Sequence, residues 1–338
     1  TSSSINALIG TGGATFLAGS ASGTFIFGGG QNTFIGGTGN YTVASGDAND
    51  TIFSGSGNSF INAGAGNNLI RLGSGNDTVA SNGTDRIYAG SGSDTINLFS
   101  SGSTVFGSSG SLRVDASTES GGSTISTSGG TTTVFGGSND TISAGGATTV
   151  FGGTNEFVNG TGSAGIMFVG GAGSSTVNAG SGVATVFGAN NANITFSGNG
   201  FLIAGAGNET LNGASSTTGF TAFGYGSGSS NVQLTGGTGS DTLVVGMGHT
   251  TLTGGSGASN LFVLASNGTN GNATVTISDF GSASGNLVGL FGYGANEVAS
   301  AVNSQTHSGA NTTITLADKS TVTFTNVASV NSSNFFGA

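Results

Sequence analysis

An aliphatic residue follows each glycine-rich turn of this chain at a nearly constant interval. Val43, Ile52, Ile61, Ile70, Val79, Ile87, Ile96, Val105 and Val114 lie nine residues apart, with a single step of eight. The period returns at Ile142, Val150, Val158, Val177, Val186, Ile194, Ile203 and Leu211, and again in GGTGSDTL (236–243) and GGSGASNL (254–261). A nine-residue unit of turn plus short strand is too small to bury a core alone, so it must stack on its neighbours. The pattern predicts an all-β fold: a right-handed parallel β-solenoid (β-roll or β-helix) in which each strand pairs with the coil below and the coil above.

A second period lies on the first. Directly after the aliphatic markers stand Phe53, Arg71, Tyr88 and Phe106, large residues at steps of 17–18. Between them stand Asn62, Ala80, Asn97 and Asp115, small or polar at the same step. Further on, Phe135, Phe151, Phe168, Phe187 and Phe223 sit mostly in T-V-F-G-like strands, and Ser143, Asn159, Asn178 and Asn212 in T-x-N-x-G-like ones. One coil is therefore ~18 residues, two nine-residue halves. Its two sheets should differ, an aromatic ladder on one and a small polar ladder on the other. Side chains alternate across a strand, so the aliphatic markers should point inward and the ladder residues outward. Rings bent inward at the corners, merely filling the core, are the other arrangement the pattern allows. An outward aromatic stripe would be a contact surface.

From Ser259 the period breaks. GANEVASAVNS (294–304) places Val298, Ala301 and Val302 at helical spacing, and TTITLADKSTVTFTNV (312–327) alternates about a turn at Ala317–Ser320, as a hairpin does. The expected organisation is a solenoid over 1–258 and a capping region over 259–338.

Composition narrows the function. Of 338 residues 69 are glycine and 5% are charged; there is no proline, cysteine or tryptophan. Arg71, Arg86, Arg113 and Lys319 are the whole basic complement, too few for a nucleic-acid surface. Without cysteine there is neither a disulfide frame nor a thiolate metal site. No apolar run reaches the ~18 residues of a membrane-spanning helix, so no membrane insertion is expected. His249 and His307 are the only histidines, and neither stands in an H-E-x-x-H motif. The acids are scattered rather than paired in a groove, so the chain reads as a non-enzyme.

The turns resemble the RTX (hemolysin-type) calcium-binding repeat, G-G-x-G-x-D-x-U-x. Gly236, Gly237, Gly239, Asp241 and Leu243 fit the whole pattern; Gly73, Gly75, Asp77 and Val79 fit nearly all of it, as do Gly90, Gly92, Asp94 and Ile96. Elsewhere the Asp position holds Tyr41, Ser59, Asn68, Ser175 or Ala184. The resemblance implies Ca2+ at a few sites. Asp77 and Asp94, 17 residues apart and so one coil apart, are the best pair, with a further site at Gly237, Gly239 and Asp241. Calcium is a hard cation that takes six to eight oxygens, which carboxylates and turn carbonyls supply. Asp residues that only cap the turns are the other reading. The stretch 259–294, with Asp279 and Phe280, and the final NSSNFFGA are similar to the end of such arrays and to their uncleaved secretion signals. This implies type I export from a Gram-negative bacterium to the cell surface or medium.

The first coils, INALIGTGGATFLAGSASGTFIFGG (5–29), are apolar with no proline or lysine to guard a strand edge. The resulting expectation is a secreted structural protein that pairs with itself head to tail into a filament, surface layer or biofilm matrix. The alternative is a binding module, an adhesin or ice-binding solenoid, with a possible cell-surface or carbohydrate contact.

Overall fold

The structure, a computed structural model, describes residues 4–225, 230–256, 259–266 and 272–337. The fold is an all-β parallel β-solenoid of about 14 coils, with ~18 residues per coil. It divides into two compact units, Thr1–Ile166 and Met167–Ala338.

In the first unit two sets of parallel strands enclose a core of buried side chains drawn from both. Sheet 1 includes Thr51–Phe53, Leu69–Arg71, Arg86–Tyr88, Thr104–Gly107, Thr124–Thr127, Thr141–Ala144 and Phe157–Gly160. Sheet 2 includes Tyr41–Ala44, Phe60–Asn62, Thr78–Ser81, Ser93–Leu98, Ser111–Asp115, Thr131–Phe135 and Ala147–Phe151. The marker aliphatics align in register, Ile52 on Ile70, Ile70 on Ile87 and Ile87 on Val105 in sheet 1, and all of them are buried. Short β-branched strands suit such a pleated, half-buried surface. Glycine at the turns is required by contact between coils as much as by backbone angle. A Cβ at Gly73 would lie 1.5 Å from the Gly55 carbonyl oxygen, and one at Gly90 would lie 1.5 Å from that of Gly73.

The ladder residues point outward and are half-buried or exposed, stacked on one another rather than bent into the core. Tyr88 and Phe106 stack at 4.8 Å and Phe135 and Phe151 at 5.0 Å, each pair 14° from parallel. Two expectations are corrected. First, the aromatic ladder does not stay on one sheet. Phe53, Arg71, Tyr88 and Phe106 run up sheet 1 and pass into Ser126, Ser143 and Asn159. On sheet 2, Asn62, Ala80, Asn97 and Asp115 pass into Phe135 and Phe151. Second, Phe168 is no ladder residue. Ile166 and Phe168 alternate inward and are buried, which leaves Met167 exposed between them.

In the second unit the strands Ser174–Phe187 and Asn193–Ile203 pair in parallel, with a register shift between Asn178 and Val183. Parallel pairing continues past residue 258. Leu261–Ala265 pairs with Leu287–Phe291, which pairs with Phe335–Gly337, and Thr274–Ile277 pairs with Thr321–Phe324. The helix is Glu297–Asn303, with Glu297 and Ala301 buried. The hairpin joins Asn311–Thr315 to Thr321–Phe324, closed by Leu316 N–H to the Ser320 carbonyl.

Candidate functional site: the ladders at the turns

At the end of each turn the chain bends into its next strand, and the backbone N–H there points along the solenoid axis. The side chain of the equivalent residue one coil later accepts it. Along one edge, Asn32 N–H donates to Asp50 (2.6 Å), Asp50 N–H to Asn68 (2.8 Å), Asn68 N–H to Asp85 (2.8 Å) and Asp85 N–H to the Ser103 hydroxyl (3.1 Å). Along the opposite edge Ser59 N–H donates to Asp77 (2.7 Å) and Asp77 N–H to Asp94 (3.1 Å). In the second unit Phe220 N–H donates to Asp241 (3.0 Å) and Asp241 N–H to Asn260 (2.9 Å). These acceptors are buried, and each takes a donor that would otherwise be orphaned.

One residue earlier in the turn an exposed second ladder runs the other way. Asn58 N–H donates back to Asn40 (2.9 Å), Asn76 N–H to Asn58 (2.8 Å) and Ser93 N–H to Asn76 (2.8 Å). Each turn thus gives an acceptor to the coil before it and another to the coil after it.

The second carboxylate oxygen closes its own turn. Gly90 N–H donates to Asp94 (2.9 Å) and Gly237 N–H to Asp241 (2.8 Å), while Asp77 takes the Ser54 hydroxyl (3.1 Å). Tyr41, at an Asp position, performs this closure with a phenol: its oxygen accepts from Gly37 N–H (2.9 Å) and Gly39 N–H (3.1 Å).

Burial raises every one of these acids. Desolvation lifts Asp50, Asp77, Asp85 and Asp241 above the ordinary range. Asp94 rises to about 6 through desolvation, with the neighbouring Asp77 carboxylate adding to it.

The structure therefore brings Asp77 and Asp94 together, as their spacing implies. The turn carbonyls around them are partly committed between coils: Gly73 accepts Ser91 N–H (3.0 Å) and Gly92 accepts Ser111 N–H (3.1 Å). Among the described residues no three acidic or histidine side chains converge on one point. The donor set still fits a hard cation in kind. Two stacked carboxylates lack a cationic partner, and each oxygen keeps a lone pair beyond the hydrogen bond it accepts.

The first edge carries a second acidic stretch: the sequence places Asp140 and Glu156 at or near the repeat's Asp position, but sequence reasoning missed Glu119 beside them. Ser123 N–H donates to Asp140 (2.8 Å) and the Ser123 hydroxyl to Glu119 (2.8 Å); Gly153 N–H donates to Glu156 (3.1 Å). Val134 to Asp140 and Val150 to Glu156 span six residues, as Val79 to Asp85 does, against seven from Ile61 to Asn68 on the same edge. Asn139 and Asn155 take left-handed backbone (φ 62°) to make these bends. Glu119 is 5% exposed, and one of its carboxyl oxygens has no donor. Desolvation, with neighbouring carboxyls adding to it, pushes Glu119 and Glu156 up to about 8; desolvation alone takes Glu209, in the second unit, to about 7. The repeated G-G-x-N-[D/E] at 136–140 and 152–156 was the signal available in the sequence.

Among the described residues no helix is long and apolar enough to cross a membrane. No curated protein matches the chain. A family profile for the RTX calcium-binding nonapeptide repeat matches residues 45–79, 79–98 and 227–261, which hold the turns of Asp50, Asp77, Asp94 and Asp241: over these stretches the chain carries RTX repeats, four copies of a calcium-binding unit.

Proposed function

We propose that this is a secreted, non-enzymatic structural solenoid that takes calcium at its consensus turns and associates with itself into a filament, surface layer or matrix. RTX repeats are characteristic of type I secreted extracellular proteins, and solenoids built from them are typically non-catalytic. Export by a type I system of a Gram-negative bacterium is part of the proposal. Calcium would be held by Asp77 and Asp94 with the turns Gly73–Gly75 and Gly90–Gly92, and by Asp241 with Gly237 and Gly239. There it would supply the positive charge that the stacked carboxylates lack.

The observation that carries self-association is the outward apolar ladder. Leu8 and Leu17 are 82% and 70% exposed, and each stands directly beneath a further aliphatic, Ile26 and Ile35. Flat apolar stripes of this kind on a soluble surface mark contact sites. Strand pairing through Ser4–Ile9 would give head-to-tail growth, and a contact that does not close gives an open fibre. Light scattering and negative-stain microscopy at micromolar protein, with calcium, test this. Particles larger than a monomer are expected, and Leu8→Lys with Leu17→Lys should reduce them. A stable wild-type monomer overturns self-association and leaves the adhesin or ice-binding reading.

A further inference from the structure

The net charge of −10 is largely an interior property. Of the 14 acidic residues only Asp47, Asp115, Asp279 and Asp318 are not buried. Three of these are engaged. Asp115 pairs with Arg113 (2.9 Å), Asp279 accepts Gly254 and Gly255 N–H (2.8 Å each), and Asp318 accepts from the Tyr293 hydroxyl (3.1 Å) and Ser320 N–H (2.9 Å). Four unburied acids are matched in number by the four cations Arg71, Arg86, Arg113 and Lys319, so the surface charge is close to balanced and a small cluster of cations dominates it locally.

That cluster exists on sheet 1. Arg71 and Arg86 are exposed on consecutive coils. Arg71 lies over the Tyr88 ring at 4.5 Å, and Arg86 lies 4.9 Å from the Phe106 centroid and 5.3 Å from that of Tyr88. The Arg86 Nε–H also donates to the Tyr88 hydroxyl. Stacking on rings fixes a guanidinium plane and leaves its terminal N–H groups pointing outward. Among the described residues neither arginine has an acidic partner, in contrast to Arg113. Arg86 borders a shallow groove of about 350 Å³, lined also by Asn67, Leu69, Thr84, Asp85 and Thr104; the Asp85 side chain is buried, with its two oxygens accepting from Asn68 N–H and the Ser81 hydroxyl.

We propose that Arg71, Arg86 and this groove form a binding face for an acidic polysaccharide, the arginines gripping uronate carboxylates and the groove holding the sugar hydroxyls. A preorganised guanidinium binds a carboxylate through two parallel N–H bonds. Strand spacing places the two arginines about 4.8 Å apart along the axis, so successive charges of an extended polyanion can reach both. A second copy of this chain fits poorly, because Asp47 is the one surface carboxylate of the described residues without a bonded partner. Nucleic acid fits poorly too, because its affinity is built from about six or more phosphate contacts. The proposal is independent of self-association, since a monomer presents the whole face.

The test is titration of the folded full chain, at fixed calcium, with a soluble galacturonate oligomer, a neutral galactose oligomer and single-stranded DNA. The wild type should bind the galacturonate oligomer and not the neutral one, with affinity falling as salt rises. Arg71→Gln with Arg86→Gln should weaken binding about tenfold or more. Arg113→Gln, removing an arginine already paired, should leave it unchanged, and circular dichroism should be the same for all. The proposal is overturned by no wild-type binding, equal binding of the neutral oligomer, unchanged affinity in the double variant, or tighter binding of DNA. Salt-independent wild-type binding overturns it without recourse to any variant.

Discussion

One edge of the first unit solves the same problem in two ways. From Asn32 to Ser103 charged and neutral acceptors alternate: Asp50, Asn68, Asp85, Ser103. From Glu119 to Glu156 three carboxyls follow without a neutral spacer between Asp140 and Glu156, the last two in turns bent by the left-handed Asn139 and Asn155. The backbone donors are met in both stretches. The difference is electrostatic. Where an amide separates two carboxylates, each buried charge has a neutral neighbour; where acids adjoin, desolvation and the nearby Asp140 carboxyl push Glu119 and Glu156 toward the protonated form. The RTX match covers much of the first stretch and none of the second. The ladder therefore needs an acceptor at each turn, whereas calcium needs a charge.

The largest effect expected from this contrast is on pH dependence. Glu119 and Glu156 rise from an ordinary 4.5 to about 8 in the folded chain. Folding therefore retains protons that the unfolded chain releases. The stability these two groups contribute is full below pH 4.5, falls as pH rises toward 8, and is level above. Thermal melts in chelator at the two ends of this window should show the lower Tm at high pH, opposite to ordinary acid denaturation. Glu156→Gln should flatten the slope.

Asn68→Asp should convert the first stretch into the second. Its new carboxyl would adjoin those of Asp50 and Asp85 with no amide between them, and stability at pH 8 should fall by about 1–3 kcal/mol, several degrees of Tm, with recovery near pH 4.5. An unchanged melt would show that the spacer has no electrostatic role. Asp77 separates the cap from the ion. Asp77→Ala orphans the buried Ser59 N–H and should cost about 1–3 kcal/mol with or without calcium. Asp77→Asn keeps an amide acceptor, as Asn68 does on the other edge. It should melt within about 1 kcal/mol of wild type in chelator and lose the calcium-induced rise in Tm. Smallest is the outer ladder: Asn58→Ala removes one exposed acceptor, worth about 0.5 kcal/mol, measurable by denaturant titration.

Periodicity made the coil, the inward aliphatics, the helix near 297 and the hairpin turn legible, because each is a local pattern with a fixed period. Two features were hidden for physical reasons, and a third was legible only by counting. That Asp residues cap turns is one of the two readings of the sequence, but the donor Asp77 caps is Ser59 N–H, 18 residues away, and no local motif encodes such a partner. Phe168 follows a marker position in appearance, but the alternation set by Ile166 turns it inward. The change of sheet by the aromatic ladder was visible as arithmetic: Phe106 and Phe135 are 29 residues apart, which is no multiple of a 17- or 18-residue coil. The coil between Val105 and Ile125 takes 20 residues and that between Ile142 and Val158 takes 16, so a fixed step loses count there.

That half-coil offset has a genealogical meaning. Duplicating or deleting a whole coil leaves every downstream residue on its own sheet and every turn donor opposite its acceptor. A nine-residue insertion or deletion also preserves the inward aliphatics, but it exchanges the two outer faces of all that follows. A ladder that leaves one sheet after Phe106 and resumes on the other at Phe135 is the footprint such an event leaves. Half-coil changes of length thus give this architecture a way to move a binding stripe from one side of the protein to the other without rebuilding its core.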